Sequence, residues 1–207
     1  MILAAALLGA PAQAQPLPGG EKVGFADMIG WWLAAPGAAP RPAAISLHGC
    51  DGVHPRDELD ARERAMAELL RDRGYHILLP EPCSVNLHGA IDWLAARADV
   101  DRARIVVLGW SHNGSALLAA LQHRIGPMPL QARAAVALFP DCSPYGRTQG
   151  SYLPVAPLLI LVDAREERTP AAACLELANW TPKVMVRVLP RTEHHAALLE
   201  FLERELR

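Results

Sequence analysis

A serine lies between an apolar run and a segment whose small and apolar side chains suit a helix. The apolar run ends at Gly109, and Ser111 follows. A strand, a sharp turn with serine at its tip and a helix form a nucleophile elbow, which projects the hydroxyl above the strand end. The usual second glycine is displaced, because Asn113 occupies its position and Gly114 follows. Asn tolerates positive φ better than most residues, so the pattern still predicts an elbow. The alternative is a buried strand–turn–helix with an ordinary capping serine.

Two further loops carry the partners that a nucleophilic serine needs. A serine hydroxyl requires an imidazole to accept its proton and a carboxylate to orient that imidazole. The loop after the apolar run 158–162 carries Asp163, Glu166 and Glu167. The loop after the apolar run 184–189 carries His194 and His195. Serine, acid and histidine in this order along the chain are typical of one class of serine hydrolases.

The oxyanion that forms during acyl transfer needs preorganised N–H donors. The main-chain N–H of His112, directly after the serine, is one predicted donor. The second is the N–H of Cys50, in the glycine-punctuated loop that follows His48. We interpret His48 as a residue that organises this loop and not as the catalytic base.

Strands alternate with helices along the chain. Strands are predicted at 43–48, 75–79, 105–108, 134–139, 158–162 and 184–189, with one or two edge strands within 21–35. Helices are predicted at 57–73, 89–98, 115–123, 169–178 and 196–206, and a loop at 143–155. Most strands are continuously apolar, which indicates an α/β protein with a mostly parallel sheet and helices on both faces. The carboxyl ends of the strands then bring the serine, acid and histidine loops to one edge.

Composition excludes several classes of partner. The chain has 207 residues, a net charge of -2 and 51% hydrophobic residues. Without a basic run, nothing favours nucleic acid as a partner. The histidines and cysteines lack metal-site spacing, so no metal or cofactor is predicted.

The first residues predict export. Residues 1–10 are apolar and too short to span a bilayer, so no stable membrane insertion is expected. Ala12-Gln13-Ala14 then has the small-x-small pattern of a signal peptidase site. The apolar run and this site predict a signal peptide at 1–14, a single domain at 15–207 and a periplasmic or secreted protein. The departure from the usual signal-peptide pattern is that no Lys or Arg precedes the apolar run, and a cytoplasmic location is the alternative.

The four cysteines are either buried thiols or disulfides, for which three pairings exist. They are Cys50, Cys83, Cys142 and Cys174.

Four segments together resemble the dienelactone hydrolase family, over about residues 31 to 195. They are the stretch from His48 to Gly52, the elbow from Gly109 to Gly114, the stretch from Glu166 to Pro170 with Cys174 after it, and the stretch from Pro190 to His194. The resemblance implies an α/β-hydrolase fold without a large lid, acting on a small-molecule ester or lactone with no cofactor. Founding members use a cysteine nucleophile, and this chain resembles the serine-bearing branch.

The resemblance also implies roles for individual residues. It places the triad acid at Glu166, where the family carries Asp, and it favours His194 over His195 as the base. Asp163, at the predicted strand end, is the rival acid. In the implied fold, Cys50 and Cys83 follow neighbouring strands, as do Cys142 and Cys174, so bridges within these two pairs are predicted.

These observations predict a hydrolase that cleaves a carboxylic ester or lactone through an acyl-serine, with Ser111, Glu166 and His194 as triad. Two alternatives remain. One is a serine peptidase or amidase with the same triad. The other is a binding protein with a hydrolase fold that has lost its catalytic activity. Asn113 in place of glycine and Glu166 in place of aspartate are the observations that favour this alternative.

Overall fold

A computed structural model describes residues 19–37, 40–48, 61–81, 83, 85–122, 131–146, 152–165 and 171–207 of the chain. The strands are β1 (Gly20–Phe25), β2 (Met28–Leu33), β3 (Arg41–Leu47), β4 (His76–Pro80), β5 (Val100–Trp110), β6 (Ala134–Leu138), β7 (Leu158–Asp163) and β8 (Val184–Leu189). The helices are α1 (Ala61–Asp72), α2 (Leu87–Ala95), α3 (Ser111–Leu121), α4 (Ser143–Gly146), α5 (Ala171–Trp180) and α6 (His194–Glu205).

The strands form one sheet in the order β1-β2-β4-β3-β5-β6-β7-β8. Strands β3 to β8 are mutually parallel, while β1 and β2 form an antiparallel hairpin that pairs with β4. Every residue of β6 and β7 is buried. Strands covered on both faces can be continuously apolar, so the predicted mostly parallel sheet is confirmed.

Helices cover both faces of the sheet, as predicted. On one face, α2, α3 and α5 pack on the strands through apolar side chains such as Leu94, Leu118 and Leu177. On the other face, α1 and α6 pack through side chains such as Leu70 and Leu202. The two layers leave the carboxyl ends of the parallel strands as one common edge.

Several element boundaries differ from the prediction. Helix α2 begins earlier, because the Asn86 side chain caps it by accepting the Gly89 N–H at 3.1 Å. Helix α6 begins at His194, after a single 3₁₀ turn at Arg191–Glu193, so His194 and His195 lie in a helical first turn and not in a loop. The predicted 143–155 loop contains the short helix α4. The first residues of the predicted 57–73 helix lie outside the described ranges.

Three of the described cysteines are disulfide-bonded. Cys142, after β6, is bonded to Cys174 on α5, which confirms that predicted pair. Cys83 is also disulfide-bonded, and its predicted partner, Cys50, lies outside the described residues. None of the helices in the described ranges is long and apolar enough to cross a membrane.

Candidate active site

Ser111 lies at the junction of β5 and α3. Its φ is +48°, a left-handed conformation that L-residues rarely adopt and that costs about 1–3 kcal/mol. Helix α3 starts at Ser111 itself, four residues before the predicted start. The predicted strand, sharp turn and helix are therefore present, with the strain located at the serine.

Two glycines allow the strand and the helix to approach each other at this turn. A side chain on Gly109 would place its Cβ 2.5 Å from the Asn113 carbonyl oxygen. A Cβ on Gly114 would lie 3.0 Å from the Gly109 carbonyl and 3.1 Å from that of Leu138. Asn113 does not have a positive φ. The expectation that Asn is accepted here because it tolerates a positive φ is therefore wrong. The close approach involves Gly109 and Gly114.

Asn113 instead connects the elbow to the neighbouring strand. Its side chain is 3% exposed, and Nδ2 donates to the His48 carbonyl at 2.6 Å. The His48 Nε2 lies 3.0 Å from the Glu81 carbonyl. The end of β3 is thus held from two sides. The loop that His48 was predicted to organise lies outside the described residues, so that role stays a prediction.

A pocket of about 370 Å³ opens beside the serine. It is lined by Ser111, His112, Ser115, Asp141, Pro144 and Tyr145. The Ser115 hydroxyl accepts the Asp141 N–H at 2.8 Å, which links α3 to the segment after β6. Hydrogen bonds from the Ser143 hydroxyl and N–H lower the pKa of Asp141, so the pocket carries a carboxylate at neutral pH. Sequence reasoning missed Asp141, whose only signal was its position two residues after the predicted strand 134–139.

Of the two predicted oxyanion donors, His112 is described and Cys50 lies outside the described residues. His112 is the second residue of α3, and Trp110, which precedes the helix, supplies no side-chain cap. The first N–H groups of a helix have no partner within the helix and favour negative charge. The His112 N–H is therefore one of the helix N–H groups that lack a partner within α3, and its role as an oxyanion donor stays a prediction.

His194 is 3% exposed in the first turn of α6. Its Nε2 lies 3.0 Å from the Leu189 carbonyl, and its ring centre is 5.2 Å from that of Phe139. The Phe139 ring lies 6.2 Å from the ring of Trp110, the residue before the serine. Two successive ring contacts, from His194 to Phe139 and from Phe139 to Trp110, thus connect the histidine to the elbow. Among the described residues, the hydrogen-bond partner of the His194 imidazole is the Leu189 carbonyl.

His195, the alternative base, is half-buried. Burial and the neighbouring His194 lower the pKa of His195, which keeps its imidazole neutral at pH 7.

The carboxylate of the rival acid, Asp163, accepts one hydrogen bond from a main-chain N–H and one from an arginine side chain. Its carboxylate accepts the Arg165 N–H at 3.0 Å and the Arg191 Nε at 2.5 Å. These bonds, with the Arg165 N–H the larger influence, lower the pKa of Asp163. Glu166, the predicted acid, lies outside the described residues.

Sequence reasoning missed Arg191 as a partner of Asp163. A signal was present, because β7 and β8 were both predictable and parallel neighbours bring their carboxyl ends together. In the structure Asp163 is paired with Leu189, two residues before the arginine.

Neither a protein-family model nor a curated protein sequence matches this chain. Solved structures are similar to it. An esterase of Pyrococcus furiosus is 17% identical with a TM-score of 0.65, over 89% of this chain and 91% of that chain. Est1E from Butyrivibrio proteoclasticus is 16% identical with a TM-score of 0.64, over 91% and 99%. A Klebsiella pneumoniae protein described as a dienelactone hydrolase is 20% identical with a TM-score of 0.57, over 79% and 80%. Together with the sheet order and the elbow, these likenesses show the α/β-hydrolase fold.

Proposed function

We propose that this protein is a serine hydrolase that cleaves a carboxylic ester or lactone, with Ser111 as nucleophile. The observation that carries the proposal is the left-handed Ser111 between β5 and α3, beside an open pocket. Such strain is retained where the surrounding structure holds it, and it concentrates at functional sites. The esterases of similar structure support ester hydrolysis, and the resemblance to dienelactone hydrolases extends the proposal to lactones.

The reaction proceeds in two acyl-transfer steps. The Ser111 Oγ attacks the acyl carbon while His194 accepts the hydroxyl proton. The N–H groups of His112 and Cys50 stabilise the oxyanion. The C–O bond to the alcohol then breaks, His194 returns the proton to the departing oxygen, and an acyl-serine remains. Water, deprotonated by His194, attacks the acyl carbon, and the carboxylic acid leaves as Ser111 regains its proton.

The proposal assigns Glu166 as the acid that orients His194. The main support is that the other candidate acid, Asp163, already has hydrogen-bond partners. Its carboxylate accepts the main-chain N–H of Arg165 and the side-chain Nε–H of Arg191. Because the His194 Nε2 bonds to the Leu189 carbonyl, the mechanism also includes a rotation of the imidazole toward the serine. Catalytic hydrogen bonds in unliganded enzymes often form only with substrate. Comparison of Glu166→Gln with Asp163→Asn tests the assignment, and a larger loss of kcat in Asp163→Asn would reverse it.

The decisive experiment is hydrolysis of p-nitrophenyl acetate and butyrate by wild type, Ser111→Ala and Ser115→Ala. Ser115 lines the same pocket and is the matched control. We expect Ser111→Ala alone to fall to background, and a fluorophosphonate to add mass to Ser111 in the wild type. Inactivity of all three proteins, with no phosphonate adduct, would favour the non-catalytic binding protein. Cleavage of p-nitroanilides as fast as of the esters would favour the peptidase or amidase.

We also propose that the chain is exported, with residues 1–14 removed and 15–207 acting as one domain. The Cys142–Cys174 bond and the bonded Cys83 support this location, because disulfides persist in oxidising compartments. The intact mass of the protein recovered from the periplasm tests it. A mature chain beginning at Gln15 is expected, and retention of Met1 in a cytoplasmic fraction would contradict it.

A further inference from the structure

A second pocket lies at the opposite end of the sheet from the serine. Its volume is about 450 Å³, and it lies at the amino ends of β3 and β4 and the carboxyl ends of α1 and α6. Arg104 on β5 lines it, and Ser111 lies seven residues later, just past the carboxyl end of that strand. At about 3.3 Å per residue, the two positions are about 20 Å apart. The pocket is therefore a separate site from the candidate active site.

Arg41, the first residue of β3, has the most unusual environment in this pocket. Its Nε is buried and has no hydrogen-bond partner. Within the described ranges, its guanidinium makes no ion pair. The residue as a whole is partly exposed and lines the pocket, so the rest of the guanidinium can meet a ligand. A guanidinium in this setting has a strong preference for a carboxylate or phosphate.

Two glycines leave room for this guanidinium. Gly37 and Gly74 have φ values of +106° and +84°. A side chain on Gly37 would collide with the Arg41 Nη2, and a Cβ on Gly74 would lie 3.0 Å from Nη1. Glycine at both positions thus lets the charged end of Arg41 lie against the main chain at the pocket wall, which restricts its movement before any ligand arrives.

The surrounding charges add to a positive field. Arg73 lies 3.8 Å from Glu203, and both side chains are at least half exposed, so this pair is weak. Arg104 contacts Asp101 at 2.6 Å. Three arginines and one glutamate line the pocket. With Asp101 counted against Arg104, three positive charges face two negative ones, and the excess positive charge is that of Arg41.

The rest of the lining is largely apolar. Its members are Pro40, Pro42, Tyr75, Leu199 and Leu206. Burial raises the pKa of the Tyr75 phenol, which therefore keeps its proton and remains a hydrogen-bond donor. A ligand matched to this pocket has an acidic group for the arginines and an apolar body for the opposite wall.

We propose that this pocket binds an organic anion, a carboxylate or phosphate on a compact apolar body, with Arg41 as its principal ion-pair partner. Arg73 contributes a second, more exposed charge. Arg104 keeps its bond to Asp101 and contributes through its field. The class includes carboxylic acids of the kind that ester hydrolysis releases, but the proposal does not depend on hydrolase activity.

The test is isothermal titration of the full chain with benzoate and with phenyl phosphate at low salt. Benzamide, which has the shape of benzoate without the charge, is the ligand control. Arg41→Met keeps side-chain length and removes the charge, and Arg187→Met, exposed on the far edge strand β8, is the matched control. The two anions separate a carboxylate preference from a phosphate preference. A thermal melt of each variant establishes that it is folded.

We expect at least one anion to bind and benzamide not to bind. We expect Arg41→Met to weaken that binding by about tenfold or more, because charge-assisted hydrogen bonds are among the stronger ones. Arg187→Met should bind like the wild type, and affinity should fall as salt is raised. Binding of neither anion, equal binding of benzamide, or full affinity in Arg41→Met would overturn the proposal. If Arg41→Met does not fold, the same comparison with Arg73→Met decides, with a weakening of about threefold expected.

Discussion

The side-chain amide of Asn113 donates a 2.6 Å hydrogen bond to the main-chain carbonyl of His48. Asn113 lies in the first turn of α3, and His48 directly follows β3. The bond therefore joins the serine elbow to the segment that leads to the predicted oxyanion donor, Cys50. Asn113, which stands where the Gly-x-Ser-x-Gly pattern has its second glycine, thus fixes the serine elbow relative to the end of β3.

Replacing Asn113 by glycine recreates the standard Gly-x-Ser-x-Gly pattern, and we expect it to reduce both stability and activity. The His48 carbonyl would lose a buried donor, which costs about 1–3 kcal/mol. Glycine adds a smaller helix-propensity cost, below about 1 kcal/mol. If the proposed mechanism holds, the freed segment should also lower kcat for p-nitrophenyl acetate by about tenfold. Urea unfolding and steady-state kinetics measure the two effects.

Ala116→Gly is the control for this substitution, because Ala116 is exposed on the same helix and reports helix propensity alone. Asn113→Gly should be the more destabilised of the two. Equal loss of stability in both variants, with wild-type kcat in Asn113→Gly, would mean that the Asn113–His48 bond has no role in the site.

The sheet and its covering helices could be predicted because their signal is local. Runs such as 134–138 and 158–162 are apolar at every position. At a length of about five residues this pattern favours a strand buried on both faces over a helix. Gly74 marked the end of α1 correctly, and its φ of +84° shows why glycine is needed there. The elbow was also predictable, because a glycine, a serine and a helix-forming segment are contiguous in sequence.

The remaining features depend on contacts between distant parts of the chain. Asn113 and His48 are 65 residues apart, and Asp163 and Arg191 are 28 apart, so neither bond has a local pattern. The early start of α6 at His194 follows from a 3₁₀ turn that Pro190 introduces, whereas the hydrophobic spacing of the helix begins later. The positions of Glu166 and Cys50 fall outside the described residues, so their roles remain predictions.

Removal of the Cys142–Cys174 disulfide should destabilise the protein without abolishing a folded state. The bond closes a loop across a sequence separation of 32, for which the chain-entropy model gives about 3–4 kcal/mol. Urea unfolding of the double variant Cys142→Ala/Cys174→Ala measures the loss. Reductant should lower the stability of this variant further, because Cys83 is also bonded. An unchanged unfolding midpoint in the variant would show that the bond contributes nothing to stability.

Asp163 should stabilise the protein at neutral pH but not in strong acid. The Arg165 N–H and Arg191 hold the pKa of Asp163 below its ordinary value of 3.8, so the folded state prefers the ionised form. The stabilisation is complete above the ordinary value and disappears as pH falls through the lowered one. Asp163→Asn should therefore have a lower Tm than wild type at pH 7, and the difference should shrink progressively as pH falls below 3.8.

The control is Asp92→Asn, an exposed aspartate on α2, which should follow the wild-type Tm across this range. A Tm difference for Asp163→Asn that stays constant from pH 7 to pH 2 would assign the effect to packing instead of charge.

Asp141 should give the proposed hydrolase a preference for substrate charge. Its carboxylate lines the pocket beside Ser111, and hydrogen bonds from Ser143 keep it ionised at pH 7. A charge pair at about 4 Å in water is worth about 1 kcal/mol, or about fivefold in rate. Acetylthiocholine should therefore have a higher kcat/KM than its neutral isostere 3,3-dimethylbutyl thioacetate. Asp141→Asn should remove that ratio, as should high salt, while the neutral ester is cleaved at an unchanged rate. A ratio that persists in Asp141→Asn would place the source of the preference elsewhere in the pocket.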